Sequence, residues 1–382
     1  MARNAYIGVG GVARQCKTIY VGVDKIARKV AKAYIGVGGV ARLCYSGSGL
    51  AYVGNVEALG AARCSHAAAS VGDYALFGGG YNNLGSVLSV DAYDESLTHS
   101  AAENLGVARE SLAATTVGSY ALFGGGDNGG STYYATVDAY NTSLTHSVPA
   151  QQLSVARHSL SAASVGGYAL FAGGYGSTVY YTNTVDAYNT SLTRSTPTAL
   201  KNKRNRMAAT AFGEYAMFGG GYDGSYSINV IDVYDASLTR TNPAYLSNEL
   251  CDVAATTVGN YALFGGGMLA TSYSIYSVVN AFDSSFTRTT PVALSAARSD
   301  IATATFGKCA LFGGGSNSTK FYSVVDVYDE SLVRTTATDL SVARHYFTAG
   351  RTGSYALFGG GLYNSGSGGA YSAAVDVYQY TE

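Results

Sequence analysis

The sequence predicts an all-β protein, a seven-bladed β-propeller preceded by a small β-hairpin repeat segment. Three observations carry this. The heptapeptide Tyr-Ala-Leu-Phe-Gly-Gly-Gly, first met at Tyr74 to Gly80, returns from Tyr120, Tyr168, Tyr215, Tyr261, Cys309 and Tyr355, at spacings of 46 to 48 residues. A period of that length belongs to modular β architectures. Of 382 residues, 49 are glycine and 33 tyrosine, with 4 prolines and no tryptophan. Glycine supplies the positive φ of tight turns and tyrosine fits a half-buried pleated surface. Finally, residues 1 to 45 carry a shorter repeat of their own, with a period of 14 residues.

Composition narrows the class. With 47% apolar and 13% charged residues, the chain is globular rather than disordered. It has no apolar run of about 18 residues, and Met1-Ala2-Arg3-Asn4 leads into glycine-broken sequence, so neither a membrane span nor a cleaved secretory leader is expected. The five cysteines (Cys16, Cys44, Cys64, Cys251, Cys309) are scattered without CxxC spacing, which argues against a disulfide framework or a zinc site. Cys309, standing where the other six heptapeptides have tyrosine, is expected to be a small buried hydrophobe. Net charge is −1, but residues 1 to 45 carry +7 and the remainder −8. Two modules with different partners are implied.

In the first module, Ala5-Tyr6-Ile7-Gly8-Val9-Gly10-Gly11-Val12-Ala13-Arg14 recurs from Ala33 to Arg42, with a variant from Ile19 to Arg28 between them. Gly-Gly between β-branched runs is a two-residue hairpin signal. Six short strands turning at Gly10-Gly11, Asp24-Lys25 and Gly38-Gly39 are predicted, although a solenoid of 14-residue coils fits the same period. Such a segment buries little core, so it should need a partner or self-assembly. Its cations alternate with apolar strand residues instead of clustering, which argues against nucleic-acid binding. These repeats resemble the glycine-rich tandem repeats at the start of tail- and baseplate-associated proteins of bacteriophages and prophages. The resemblance covers residues 5 to 45 and implies a virion structural component.

Each unit after residue 59 reads as four strands. Leu-x-x-x-Arg opens it (Leu59/Arg63, Leu105/Arg109, Leu153/Arg157, Leu200/Arg204, Leu294/Arg298, Leu340/Arg344, with Leu246/Leu250 departing). A small-residue strand, the heptapeptide strand, a variable loop, a Val-Asp-Ala-Tyr-Asp strand and Ser-Leu-Thr follow. Four short antiparallel strands at this period describe a propeller blade. The chain stops one strand short of a seventh unit, so residues near 50 to 56 are expected to supply the outer strand of the last blade and leave no open edge. The domains are thus 1–45, an attachment segment, and 46–382, the propeller. Phe77, Phe123, Phe171, Phe218, Phe264, Phe312 and Phe358 are expected to pack between blades.

The unit resembles a kelch repeat in its glycines after an apolar strand, its Val-Asp-x-Tyr-Asp, and its arginine before the next blade; all seven copies match. It departs where the family has a tryptophan, here Ser100, Ser147, Ser195, Thr241, Thr289 and Thr335. Leu97, Leu144, Leu192, Leu238, Phe286 and Leu332 are expected to fill that space.

Residues present in every blade serve the blade. The carboxylates Asp91, Asp138, Asp186, Asp232, Asp326 and Asp376, with Asn280, form a repeated set that is read as structural, because acid/base work needs carboxylates in different environments. The arginines receive the same reading. No histidine pair has metal-ligand spacing, nothing singles out the tyrosine and histidine that hold copper in kelch-like galactose oxidases, and no phosphate-binding loop or hydrolase motif occurs. No catalytic residue, metal or cofactor is predicted.

What varies points to binding. The loops after the glycines carry Tyr81, Tyr133, Tyr134, Tyr180, Tyr181, Tyr222, Tyr226, Tyr273, Tyr276, Tyr322 and Tyr363 among Asn, Ser and Gly, the composition of adaptable recognition surfaces. The residues after the arginines also differ by blade, giving channel-mouth candidates His158, Arg206, Asp252, Asp300, His345 and Tyr346. Lys201, Lys203, Arg204 and Arg206 in one blade against Glu249 and Asp252 in the next give an electrostatic direction suited to docking.

The function expected is a non-enzymatic virion structural and binding protein of phage or prophage type. Residues 1–45 would engage other assembly proteins or further copies of the chain, and the propeller loops a host-surface protein or glycan. A virion location is expected, otherwise cytoplasmic. The alternatives are a kelch-type peptide-binding adaptor and a carbohydrate-active propeller enzyme.

Overall fold

The computed structural model of the chain describes the backbone of residues 5–9, 12–16, 20–23, 26–29, 32–37, 40–46 and 49–381, except 179, 366 and 367, and side chains within 49–380. Every regular element among them is a β-strand. In the N-terminal segment Ala5–Val9 pairs with Val12–Cys16, Tyr20–Val23 with Ile26–Lys29, and Lys32–Val37 with Val40–Ser46, all antiparallel. Val9 stands opposite Val12, Val23 opposite Ile26 and Val37 opposite Val40, so two residues separate the strands of each pair. The pairing is that of hairpins rather than solenoid coils. The turn residues themselves lie outside the described set.

From Gly49 onward the fold is propeller-like, built of repeated four-stranded antiparallel sheets; the described residues form seven of them. In the first, Ala67–Val71, Tyr74–Gly78, Val90–Tyr93 and His99–Ala102 lie in chain order. The next five begin at Ala113–Val117, Ser161–Val165, Ala208–Phe212, Ala254–Val258 and Ala302–Phe306. The seventh takes three strands from the C-terminal end (Thr348–Thr352, Tyr355–Gly359, Val375–Thr381) and its outer strand from Gly49–Asn55, with Tyr380 opposite Leu50 and Asp376 opposite Asn55.

The heptapeptide strand shows no inside–outside alternation because both its faces are covered. Ala75, Leu76 and Phe77 are all fully buried, as are their counterparts in every sheet. The reason is glycine. A Cβ added to Gly78 would stand 2.9 Å from the ring of Phe123, and the same relation joins Gly124 to Phe171, Gly219 to Phe264, Gly265 to Phe312, Gly313 to Phe358 and Gly359 to Phe77. The last link seats the seventh sheet on the first. Ser70 and Arg351 add a second such contact, with the Ser70 hydroxyl donating to the Arg351 carbonyl at 2.6 Å. The other two glycines turn the chain at φ near +70° and +110°, a region open to glycine.

Leu97, Leu144, Leu192, Leu238, Phe286 and Leu332 do fill space between sheets: each packs on the core cluster that also takes the heptapeptide tyrosine of the preceding sheet, and Phe286 meets Tyr215 directly at 5.0 Å. The seventh sheet is formed without such a turn residue. There Tyr380 packs in the cluster that holds Cys309, its ring against Phe306. Cys309 is buried as expected, and its small side chain leaves room for Tyr380.

The repeated arginines and aspartates pair with one another. Arg63 meets Asp91 at 2.5 Å, and Arg109–Asp138, Arg157–Asp186, Arg204–Asp232, Arg298–Asp326 and Arg344–Asp376 follow at 2.5 to 2.9 Å, all buried. Burial pulls each guanidinium's pKa down and its aspartate pushes it back up. Each arginine also donates to the carbonyl of its sheet's core phenylalanine, and each aspartate accepts from a backbone N–H of the incoming crossover, as Asp91 does from Gly60. The carboxylates therefore knit each sheet to its crossover, as their repetition predicts. A second partner on the outer strand completes them: His99, His146, Arg194, Arg240 and Arg334 in five sheets, and the Tyr52 hydroxyl, at 2.7 Å, on Asp376.

Candidate binding face

The residue after each arginine is bridged to the residue after the three glycines. Cys64 pairs with Tyr81, Glu110 with Asp127, His158 with Tyr175, Asn205 with Tyr222, Cys251 with Met268, Ser299 with Ser316, and His345 with Leu362. The tyrosine loops and the channel-mouth residues consequently occupy one side of the molecule. The second residue after each arginine (Ser65, Ser111, Ser159, Arg206, Asp252, Asp300, Tyr346) has φ between +50° and +54°. Backbone N–H groups link them from sheet to sheet: Ser65 to the Tyr346 carbonyl, Ser111 to Ser65, Ser159 to Ser111, Arg206 to Ser159 and Asp252 to Arg206, at 2.9 to 3.1 Å.

These seven line a cavity of about 440 Å³. Its floor is His66, Leu112, Leu160, Met207, Ile301 and Phe347, at the third position after the arginine. A further cavity of about 260 Å³ runs between the innermost strands, walled by Ala, Ser, Thr and Gly with Arg351. Among the mouth candidates, Arg206, Asp252, Asp300 and Tyr346 line the larger cavity. His158 and His345 do not. Each sits one residue earlier, just before the residue whose left-handed φ turns the chain. His158 is held at 2.9 Å by Asp127 and stacked on Tyr133; His345 lies between Phe321 and Tyr346.

The rim is uneven. Arg206 grips Asp252 through two contacts, Nε donating to Oδ1 at 2.8 Å and Nη2 to Oδ2. Burial first, and the Asp300 carboxylate second, push Asp252 up to about 6 in spite of Arg206. Asp300 and then burial raise Tyr346. Burial and Asp252 push the Cys251 thiol up to about 11, so it is unreactive.

The tyrosines divide by environment. Tyr180, Tyr226 and Tyr273 are exposed by 63%, 64% and 74%. Tyr133, Tyr181 and Tyr222 join Tyr175 and His158 in a run of edge-to-face and stacked rings spanning three sheets. Tyr81 meets Tyr371 at 6.2 Å. Tyr134, Tyr276 and Tyr322 are half-buried, and their carbonyls accept from the N–H of Arg157, Arg298 and Arg344; Tyr363 pairs with Arg344. These last four hold backbone, a role their residue type does not disclose.

Sequence reasoning missed Tyr371; it placed Tyr175, Phe321, Asp127 and Glu110 among the variable segments without singling them out as site residues. Burial and Asp127 push Glu110 up to about 7. The constant spacing of 17 residues between bridged partners, from Cys64/Tyr81 to His345/Leu362, was a signal that could have paired them. Among the described residues no group of three or more His, Cys, Asp or Glu is placed to hold a metal ion, and no helix is long and apolar enough to cross a membrane.

No protein-family profile matches the chain, and no curated protein does. The fold is similar to a solved structure described as "Structure of YjhT", with a TM-score of 0.58 and 12% identity over 74% of this chain and 99% of that one. The likeness is one of fold.

Proposed function

We propose that the chain is a non-enzymatic structural and binding protein of phage or prophage type. In this reading the seven sheets close into a seven-bladed, kelch-like propeller, and residues 1–45 attach it to other assembly proteins or to further copies of itself. The loop side then displays the recognition surface for a host-surface protein or glycan. One observation carries the reading: the bridges between mouth and loops gather the residues that differ from sheet to sheet onto a single side, while the residues that repeat are buried and paired. Exposed tyrosines supply contact area at low entropic cost and their Ser, Asn and Gly neighbours supply hydrogen bonds.

Adsorption of the full chain to glycan arrays and intact bacterial cells tests the face. Replacing Tyr180, Tyr226 and Tyr273 together by alanine should abolish adsorption at an unchanged melting temperature; adsorption as tight as wild type sinks the assignment. Closure is tested by truncation. A chain lacking residues 1–45 should melt as the full chain does, whereas one lacking 1–60 loses the outer strand of the seventh sheet and should aggregate or melt lower. Light scattering on the full chain and on residues 46–382 tests attachment, with oligomers expected of the full chain alone.

A further inference from the structure

The seven rim positions share a left-handed backbone that glycine adopts without cost, in a chain that spends 49 glycines elsewhere. Non-glycine residues there are disfavoured, a bulky one such as Tyr346 most of all. Side chains are therefore retained at these positions against backbone preference. They are also arranged unequally. Ser65, Ser111 and Ser159 form a small neutral arc, and Arg206, Asp252, Asp300 and Tyr346 form a charged one.

The charged arc sets two carboxylates, Asp252 and Asp300, against one guanidinium. Arg206 is committed to Asp252 by both contacts. Asp300 is met by the hydroxyls of Ser299 at 3.1 Å and Ser316 at 3.5 Å, with His345 Nδ1 at 3.8 Å. That imidazole nitrogen is already shared with Ser316 Oγ at 3.1 Å. Beside Asp300 stands the Tyr346 ring, 47% exposed, an aromatic surface of the kind that attracts cations. The same cavity is lined by Leu112, Leu160, Met207, Ile301 and Phe347, a mainly apolar set that His66 and Ser161 interrupt.

We propose that the mouth cavity binds an organic cation, an ammonium or guanidinium group on a short apolar stem, with the charge held by Asp300, Asp252 and the Tyr346 ring and the stem resting against that apolar set. The inference rests on the reading of this side as the binding face and names the chemistry its centre selects. The volume, about 440 Å³, falls within the range of small-ligand pockets, roughly 300 to 1,000 Å³. A neutral ligand would leave the excess negative charge of the arc in place, and an anion would meet two carboxylates against one occupied guanidinium. The groups facing Asp252 are Arg206, Asp300, the Cys251 thiol and Tyr346. Burial raises Asp252 first and the Asp300 carboxylate second; a cation placed among these groups offsets the second cause, so its uptake should release a proton near pH 6.

Calorimetric titration of the full chain with n-butylguanidinium and n-butylammonium, against n-butanol and butyrate, tests the assignment. The cations should bind at least about tenfold more tightly than the alcohol or the acid, a difference of about 1.4 kcal/mol, and their affinity should fall with added salt and below pH 6. Asp300→Ser places at this position the residue that three other sheets carry in the same conformation, which guards the fold; it should weaken cation binding about tenfold or more and leave butanol unchanged. Equal binding of butylammonium and butanol, or an unchanged affinity in Asp300→Ser, overturns the cation assignment while leaving the tyrosine face standing. Failure of the tyrosine variant to lose adsorption would overturn that face and leave the cation site.

Discussion

Two kinds of Arg–Asp pair stand in contrast among the described residues, apart from the outer-strand arginines that add a second contact in three sheets. Six are repeated and fully buried, beginning with Arg63–Asp91; one, Arg206–Asp252, is singular and a third exposed on its arginine side. The buried kind knits each sheet to its crossover, and one sheet shows what it takes to omit it. In the fifth, Leu250 replaces the arginine, Asn280 the aspartate and Phe282 the tyrosine whose hydroxyl elsewhere reaches the crossover, as Tyr93 reaches the Glu57 carbonyl. All three polar groups are traded together. Asn280 keeps the acceptor needed by the Ser247 N–H, at 2.9 Å, and discards a charge that Leu250 could not match. A buried ion pair is expensive to break and cheap to replace whole. The rim pair has no counterpart in the other sheets, and it lines the mouth cavity instead of tying a sheet to its crossover.

The largest effect that would break this comparison is in the buried set. Arg109→Leu strands the Asp138 carboxylate and should cost about 3 to 5 kcal/mol in chemical denaturation. Arg109→Leu with Asp138→Asn copies the fifth sheet and should recover most of that loss. A double variant as unstable as the single would mean that charge pairing is not what the buried set provides. Next in size, Tyr52→Phe removes the hydroxyl that stands in for a cation on Asp376 and should cost roughly 1.5 to 3 kcal/mol, the range for hydrogen bonds to charged groups. Arg206→Leu, at the rim, should change stability by less than about 1 kcal/mol; a loss as large as that of Arg109→Leu would erase the distinction between the two kinds.

The smallest effect is one of pH. Glu110 has its folded-state pKa, about 7, above its ordinary 4.5. The folded state is therefore favoured below pH 4.5 and loses that advantage as pH rises to 7. Glu110→Gln, which mimics the protonated side chain, should melt as wild type does at pH 4 and above it at pH 8. Equal melting at both values would place Glu110 in freely solvated surroundings.

Much of this architecture was legible in the residues. The heptapeptide repeat, the crossover arginines, the outer strand near residues 50 to 56 and the hairpin pairs of the first segment follow from turn chemistry and short-range periodicity. Cys309, which stands where the other heptapeptides have tyrosine, is the small buried side chain its residue type predicts. The site was legible only in part. Arg206, Asp252, Asp300 and Tyr346 were found because they vary where the scaffold repeats. His158 and His345 were grouped with them, yet neither lines the cavity: His158 is held by Asp127 and Tyr133, and His345 packs against Phe321 and Tyr346.

The sequence by itself determined which strands form and where each turns, because glycine positions and apolar runs act over a few residues. Tertiary structure decided which side chains from different sheets meet, such as Asp252 with Asp300 or Tyr133 with His158. Those meetings depend on how one sheet seats on the next, glycine against phenylalanine, and no local period encodes that geometry.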